Sequence, residues 1–509
     1  MKKFSLLLIA SFVCCNALFS QSVFQKSIGR PNGDYAMNAV KIGSGFAISG
    51  TSGNDISLLR VDEDGDTLWT KNYSSSVSLT GSWLRETADN GFVIIGAGAV
   101  PSGAGANDVL LIRTDSNGNL IWSKAYGTSG TDYGTAVVAS DDGIWMGGAV
   151  NISVNANDAL LIKTNMLGDT LWTRTFGGNG DENVNALELT GDGGCISVGT
   201  TTSFTKGANA IMIARWSADG EIQASAIYGN SINSYGFGII SAGAGNGYFI
   251  TGTTSGAGAG EYDALLMKIN DDLSIAWSKT YGGPGFDTGV SCVKLNSGGL
   301  VTLGQTFSYG VESDLFLVHT NDEGEMDWSK VFGGDGYEFG ENILAVPDGF
   351  FITGGEESFG ASRDLYMVKT DVNGNSNCNQ LTVEPSSGDA MLAISNVGFS
   401  SHGGLHAATA SITSQNGASV HTFCESVNMQ ETALNDFEIY PNPFSGSITV
   451  RGTSAGEILT LYDINGKLLS EQCLKSTVTT IDTSTLPEGV YVVSVVKNDC
   501  VQNRKLIKE

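Results

Sequence analysis

One pattern occurs seven times in this chain, opening at Asp55, Asp108, Asp158, Asn209, Asp263, Asp314 and Asp364, at intervals of 53, 50, 51, 54, 51 and 50 residues. A period near fifty confines the fold to an array in which each copy is one supersecondary unit. The third copy shows it plainly: Asp158-Ala-Leu-Leu-Ile-Lys163, a turn at Gly168, then Leu171-Trp172-Thr-Arg174-Thr-Phe176-Gly177. Each copy divides into four strand-like runs, such as 184–189, 195–200, 210–214 and 222–228. The first two are joined by hairpin signals, Gly191-Asp-Gly-Gly194 here and Asp89-Asn-Gly91, Asp141-Asp-Gly143 and Asp348-Gly349 elsewhere, residues that tolerate positive φ. The third run is almost continuously apolar, as in a strand covered on both faces. The fourth alternates, with Trp172, Arg174 and Phe176 on one face. Four strands per copy without helical periodicity predict propeller blades.

The seventh copy stops at Asn373-Gly374-Asn375 without its Trp-x-Lys-x-Tyr strand, and a matching run, Phe24-Gln-Lys26-Ser-Ile28-Gly29, stands near the N-terminus. A first strand that completes the last blade closes the ring and removes two sheet edges. The expected fold is all-β: a seven-bladed β-propeller of four-stranded blades over 21–376. A Ser/Thr/Gly-rich stretch, 377–430, follows as a linker or a small disulfide-stapled β segment, and a small β-sandwich occupies 431–509.

The N-terminus reads as a secretory signal peptide, residues 1–20, with Lys2-Lys3, an apolar run from Phe4 to Phe12 and a cut between Ser20 and Gln21. Ser11-Phe12-Val13 before Cys14 is a poor lipidation signal, and no later apolar run reaches the ~20 residues needed to span a bilayer. Loss of Lys2 and Lys3 takes the net charge from −26 to −28, a surface that repels nucleic acid and anionic lipid. Cys195 and Cys292 sit in apolar strands and read as free buried thiols. In an oxidising compartment Cys378 and Cys424 are plausible partners, and Cys473 with Cys500 another pair.

From about Asn435 the composition changes. Tyr440-Pro441-Asn442-Pro443 precedes Ser447-Ile-Thr-Val450, then Leu461-Tyr-Asp463-Ile-Asn-Gly466, then Leu486-Pro-Glu-Gly489-Val-Tyr491, and a last basic strand runs through Lys505 and Lys508. This tail closely resembles the C-terminal type A sorting domain of the type IX secretion system of Bacteroidetes-like bacteria. The resemblance implies recognition by that machinery, passage across the outer membrane, and release or attachment at the cell surface. The repeats resemble bacterial seven-bladed propeller repeats found in exported proteins, which implies an architecture and no activity.

Candidate chemistry is sparse. Asp62-Glu-Asp64-Gly65, Asp115-Ser-Asn117-Gly118 and Asp371-Val-Asn373-Gly374 look like shortened calcium loops, but they lack the full set of oxygen ligands, and Asn165-Met-Leu-Gly168 has no carboxylate. They read as turns, and no metal or other cofactor is expected. Gly118 precedes Trp122 by four, which is not the frame of the Asp-box of sialidase-type propellers. The recurring pairs Asp108/Arg113, Asp158/Lys163, Asp263/Lys268 and Asp364/Lys369 fall on opposite strand faces. Repetition in every copy argues for packing instead of catalysis. Of four histidines, His319 replaces a repeat lysine and His402, His406 and His421 lie in the 377–430 stretch. No nucleophile elbow accompanies them. The expected function is a non-enzymatic binding or adhesion module for a glycan or surface protein, engaged through loops 98–107, 203–208, 255–262 and 356–363. The competing expectation is a polysaccharide hydrolase or lyase with its acids at the channel mouth.

Overall fold

The computed structural model describes residues 23–29, 33–101, 103, 105–151, 156–205, 208–229, 232–360, 362–395, 401–402, 406–409, 413–416, 419–425, 438–451, 458–463, 468–474, 476–487, 489–497 and 500–508. The regular structure among them is all β, in two compact units, 1–426 and 427–509.

The first unit consists of antiparallel sheets in propeller-like blades. Repeat 4 gives the order: Glu182–Leu189, Cys195–Thr201, Ala210–Trp216 and Ile222–Gly229 pair consecutively. Six such sets come from 34–74, 79–127, 132–176, 182–229, 234–282 and 287–332. In the seventh, Glu338–Val346, Gly349–Glu356 and Asp364–Thr370 are completed by Phe24–Gly29, with Phe24 opposite Lys369 and Ile28 opposite Leu365. Each first strand lies beside the first strand of the next repeat, and Glu338–Val346 lies beside Asp34–Lys41. Phe24, Ile28, Phe46, Phe351 and Leu365 share one buried cluster across that junction, with the Phe46 and Phe351 rings stacked at 3.7 Å.

The described strands of 377–425 do not form a β unit of their own. The stretch supplies seven short strands, and each becomes the fifth strand of a different blade. Gln380–Thr382 joins repeat 6, Ser386–Asp389 repeat 5, Ala393–Ser395 repeat 4 and Ser401–His402 repeat 3. His406–Thr409 joins repeat 2, Thr413–Asn416 repeat 1, and Ser419–Glu425 pairs with Phe24–Gly29. The physical reason is the open edge that each fourth strand presents, with unpaired N–H and C=O groups. In sequence order these short strands form a belt over the edges of repeats 6, 5, 4, 3, 2 and 1, and then of the sheet that Phe24–Gly29 completes.

A recurring joint locks neighbouring blades. The turn glycine between third and fourth strands has positive φ and lies flat on the aromatic ring of the preceding blade: Gly65 on Phe24, Gly118 on Trp69, Gly168 on Trp122, Gly324 on Trp277 and Gly374 on Trp328. Tyrosine hydroxyls donate to the same turns, Tyr73 to Gly118 O at 2.8 Å and Tyr126 to Gly168 O at 2.7 Å. Lysines follow, Lys26 to Asp66 at 2.8 Å and Lys124 to Asp169 at 2.7 Å. Where the ring is missing, at Ala224, the turn carries buried Leu273 at φ 64°. The side chain fills the space and offsets the cost of the left-handed backbone. Gly168→Ala adds a Cβ 2.7 Å from the Trp122 ring at φ 75°, so urea melts are expected to show a loss of about 2–4 kcal/mol. An unchanged midpoint would contradict the joint.

The second unit packs a three-stranded sheet (Glu438–Tyr440, Ser447–Arg451, Val478–Asp482) and a four-stranded one in the order Leu468–Cys473, Ile458–Asp463, Gly489–Lys497, Cys500–Lys508. Val450, Leu461, Val493 and Leu506 from both sheets meet in one core, the arrangement of a sandwich. Cys473 and Cys500 sit on opposite edges of the larger sheet, about 14 Å apart by strand spacing. Their side chains lie outside the described residues, and with them the expected pairing.

Candidate functional site: an amide and tyrosine cleft at the loop end

The recurring acids and bases do not meet. The basic residues of the third strands turn to the hairpin end, where Lys163 pairs with Asp142 at 2.7 Å, Arg215 with Asp192 at 3.1 Å and Lys369 with Asp348 at 3.3 Å. At that end too, Asp62, Asp115 and Asp371 each accept two backbone N–H bonds at 2.8–3.0 Å. Asn165 does the same at 2.9 Å without a carboxylate. These are side-chain-capped turns.

The opposite end carries the loops between second and third strands and those leading into each first strand. Buried acids opening the first strands brace it: Glu182 accepts Gly178 N at 2.7 Å, Asp287 Gly283 N at 2.7 Å and Glu338 Gly334 N at 2.8 Å. Thr201 donates to the second oxygen of Glu182 at 2.6 Å, and Thr306 to that of Asp287. In the seventh blade this threonine is replaced by Glu356, which stands opposite both Glu338 and Asp364. Burial pushes Glu356 up to about 7, and burial with Glu338 alongside pushes Asp314 up to about 7. Buried Tyr366 also faces this group. Carboxyls that hold protons more tightly folded than unfolded stabilise fully below about 4, the unfolded value, and lose that contribution as pH rises towards about 7. The unfolding midpoint is therefore expected to fall between pH 5 and 8, and to fall less in Asp314→Asn. Parallel curves for the two proteins would exclude this origin.

Between repeats 3 and 5 the same end opens into a cleft of about 270 Å³. Its walls come from the second and fourth residues of successive first strands: Tyr133, then Asn183 and Asn185, then Tyr235 and Phe237. Strand alternation aims these half-buried side chains away from the blade interior. Their polar atoms are held in place. Asn183 Oδ1 accepts Thr200 N at 2.9 Å and its amide donates to Asn185 Oδ1 at 3.0 Å, while the Asn185 amide donates to Gly236 O at 2.7 Å. Asn209 donates to the Tyr235 hydroxyl at 2.9 Å, and Asn157 N to Asp181 Oδ1 at 2.9 Å. Burial and the nearby Asp181 charge raise the Tyr133 hydroxyl above its usual range, so it stays a neutral donor. Among the described residues, no lysine or arginine lines this cleft. Such fixed amides and hydroxyls between aromatic faces suit a neutral ligand rich in hydroxyls or amides. A wider depression, about 410 Å³, lies at the hairpin end among glycine turns such as Gly191, Gly243 and Gly245, and contains Arg215 and its partner Asp192.

The cleft residues were not among the sequence candidates. Of the expected loops, the described part of 203–208 adjoins Thr202 and Asn209 of the cleft, and the described parts of the other three lie at the same end. The signal was present in the aromatic second residue of several first strands, as in Asp34-Tyr35, Asp132-Tyr133, Ser234-Tyr235 and Glu338-Phe339.

Ser20 and Gln21 lie outside the described residues, as does Gly466 of the tail motif. Tyr440 is exposed, with cis bonds at Tyr440-Pro441 and Asn442-Pro443. Asn442 Oδ1 accepts Ile507 N at 2.9 Å, Gly489 pairs with Lys508, and buried Tyr491 donates to Pro487 O at 2.5 Å. The buried Lys508 ammonium donates to Thr483 O at 2.7 Å and Leu486 O at 2.5 Å, so the motif residues shape and close this sandwich. Cys195 and Cys292 are free and buried as expected. The side chain of Cys424 lies outside the described residues, and with it the expected bond to Cys378.

The geometry thus defines an all-β chain with propeller-like blades and a small sandwich. Residues 438–509 match the family described as the secretion system C-terminal sorting domain, which directs export and either attachment to the cell surface or release. No curated protein sequence matches the chain. Among solved structures it is similar to PorZ, an essential bacterial surface component of the type IX secretion system of Porphyromonas gingivalis. That likeness has 9% identity over 96% of this chain and 100% of that one, with a TM-score of 0.16. The extracellular domain of the putative hybrid two-component system BT4673 from B. thetaiotaomicron matches at 9% identity over 94% and 74%, with a TM-score of 0.22. At those scores neither likeness bears on function.

Proposed function

We propose that this protein is a non-enzymatic binding module for the cell surface or its surroundings, a closed seven-bladed β-propeller that holds a glycan in the amide and tyrosine cleft. The observation that carries this reading is the pre-set network of Asn183, Asn185, Asn209 and Tyr235, which can exchange hydrogen bonds with sugar hydroxyls. The enzymatic alternative needs two free carboxylates across one site. In the cleft Glu182 is already engaged by Gly178, Thr201 and Ser203, and Asp181 by Asn157, which favours binding.

The test uses residues 21–430 on a panel of immobilised polysaccharides, assayed for retention and for release of reducing or unsaturated ends. Retention without turnover, weakened about tenfold or more by the double variant Tyr133→Ala, Asn183→Ala, is the expected result. Turnover abolished by Asp181→Asn would replace this reading with the enzymatic one. The same reading includes a Cys378–Cys424 clasp at the ends of the belt. Gln25 stands opposite Cys424 in the sheet, and its amide donates to Cys378 O at 2.5 Å. Non-reducing peptide mapping is expected to recover the linked pair.

A further inference from the structure

The cleft does not end at Phe237 and Tyr235. A continuous line of rings leaves it along the loop end and crosses into repeats 6 and 7. Phe237 and Tyr235 stack with centroids 6.3 Å apart, and Tyr235 lies 6.3 Å from Tyr262. Tyr262 lies 5.0 Å from Phe286, Phe286 6.2 Å from Phe307, and Phe307 6.4 Å from Tyr337. Phe286, Phe307 and Tyr337 are 37%, 41% and 42% exposed, although a phenylalanine left in water forgoes a large apolar gain. The tyrosine hydroxyls are tied back: Asn209 donates to Tyr235 and Asn233 to Tyr262 at 3.0 Å. The arc is thus a row of rings tied at Tyr235 and Tyr262, with Phe286, Phe307 and Tyr337 meeting edge to face.

We propose that this arc is a platform for an extended neutral polysaccharide, so that the protein grips several consecutive sugars along a chain. The proposal rests on the glycan reading of the cleft and adds the ligand's length and charge. Pyranose rings present apolar C–H faces, which stack on aromatic rings while the hydroxyls remain in water or meet fixed amides. The steps between rings are comparable with the repeat of a pyranose chain. Charge disfavours polyanionic glycans: Glu312 and Glu357, the latter paired with Arg363, lie beside Tyr337, Asp181 lies beside Tyr133, and the chain carries −26.

The test is calorimetric titration of the chain lacking residues 1–20 with neutral oligosaccharide ladders, from disaccharide to octasaccharide, of glucan, xylan, mannan and chitin types. Affinity is expected to rise with length. Phe286→Ala, Phe307→Ala should remove that gain, about 10- to 100-fold at the longest rung, and leave the shortest within about twofold. Asn183→Ala should weaken every rung. Thermal melts of these exposed-ring variants should match the parent and exclude a folding defect. If the double variant binds long chains as the parent does while Asn183→Ala still weakens them, the platform falls and the cleft stands. If the parent binds none of the ladders, both readings fall.

Discussion

A chain ending at Ser376 is expected to melt far below one ending at residue 430 and to aggregate on dilution from denaturant. The truncation removes the fifth strand from all seven sheets and exposes seven edges at once. Each lost belt strand forfeits several ladder hydrogen bonds, at a net contribution of about 1 kcal/mol each. The loss is on the order of 10 kcal/mol, comparable with the whole stability of an ordinary domain. Exposed, flat strand edges also pair with other chains, so static light scattering should report soluble aggregates. A monomeric truncation with an unchanged melting temperature would show that the belt is ornamental to the fold.

Deleting residues 427–509 is expected to stop delivery without unfolding the first unit. In a host with a type IX system, the full chain should be reached by protease added to whole cells. The deletion should be protected until the outer membrane is opened. Its periplasmic form should still melt like the first unit of the full chain, because the two units have separate cores. Surface exposure of the deletion would overturn the role given to the tail. A milder variant, Lys508→Met, removes an ammonium bonded to three carbonyls and leaves those buried acceptors unsatisfied.

The blades were legible because their pattern is local. Four strands, a hairpin and a turn recur within each fifty residues, and the apolar third run marks the strand buried on both faces. The completing strand at Phe24 was legible for the same reason, since it carries a motif whose absence after Asn375 left a gap. The belt was not. Its strands are two to seven residues long and rich in Ser, Thr and Ala, and they pair with partners up to about 400 residues away. A strand that covers a wet edge needs no hydrophobic period, and period is what a sequence displays. The cleft was half legible. Its end of the molecule follows from the loops, but Asn183, Asn185 and Tyr235 stand on regular strands, where attention to loops does not look. The Glu356 substitution is plain in sequence as a departure from Thr201 and Thr306, yet only the register shows that it adds a carboxyl to an acidic pair.

The belt also bears on how such a molecule could change over time. In a simple array a unit can be duplicated or lost by one recombination event, because each copy contacts only its neighbours. Here an added repeat would arrive with a bare outer edge and no strand of the girdle to cover it, and a lost repeat would leave a strand of the girdle with nothing to join. A change in copy number must be matched, far downstream in the gene, by a change in a stretch that bears no resemblance to the copies. The expectation is that blade number is held fixed while the rim varies freely: new binding surfaces would arise by substitution at positions such as 133, 183 and 286, and not by lengthening the array.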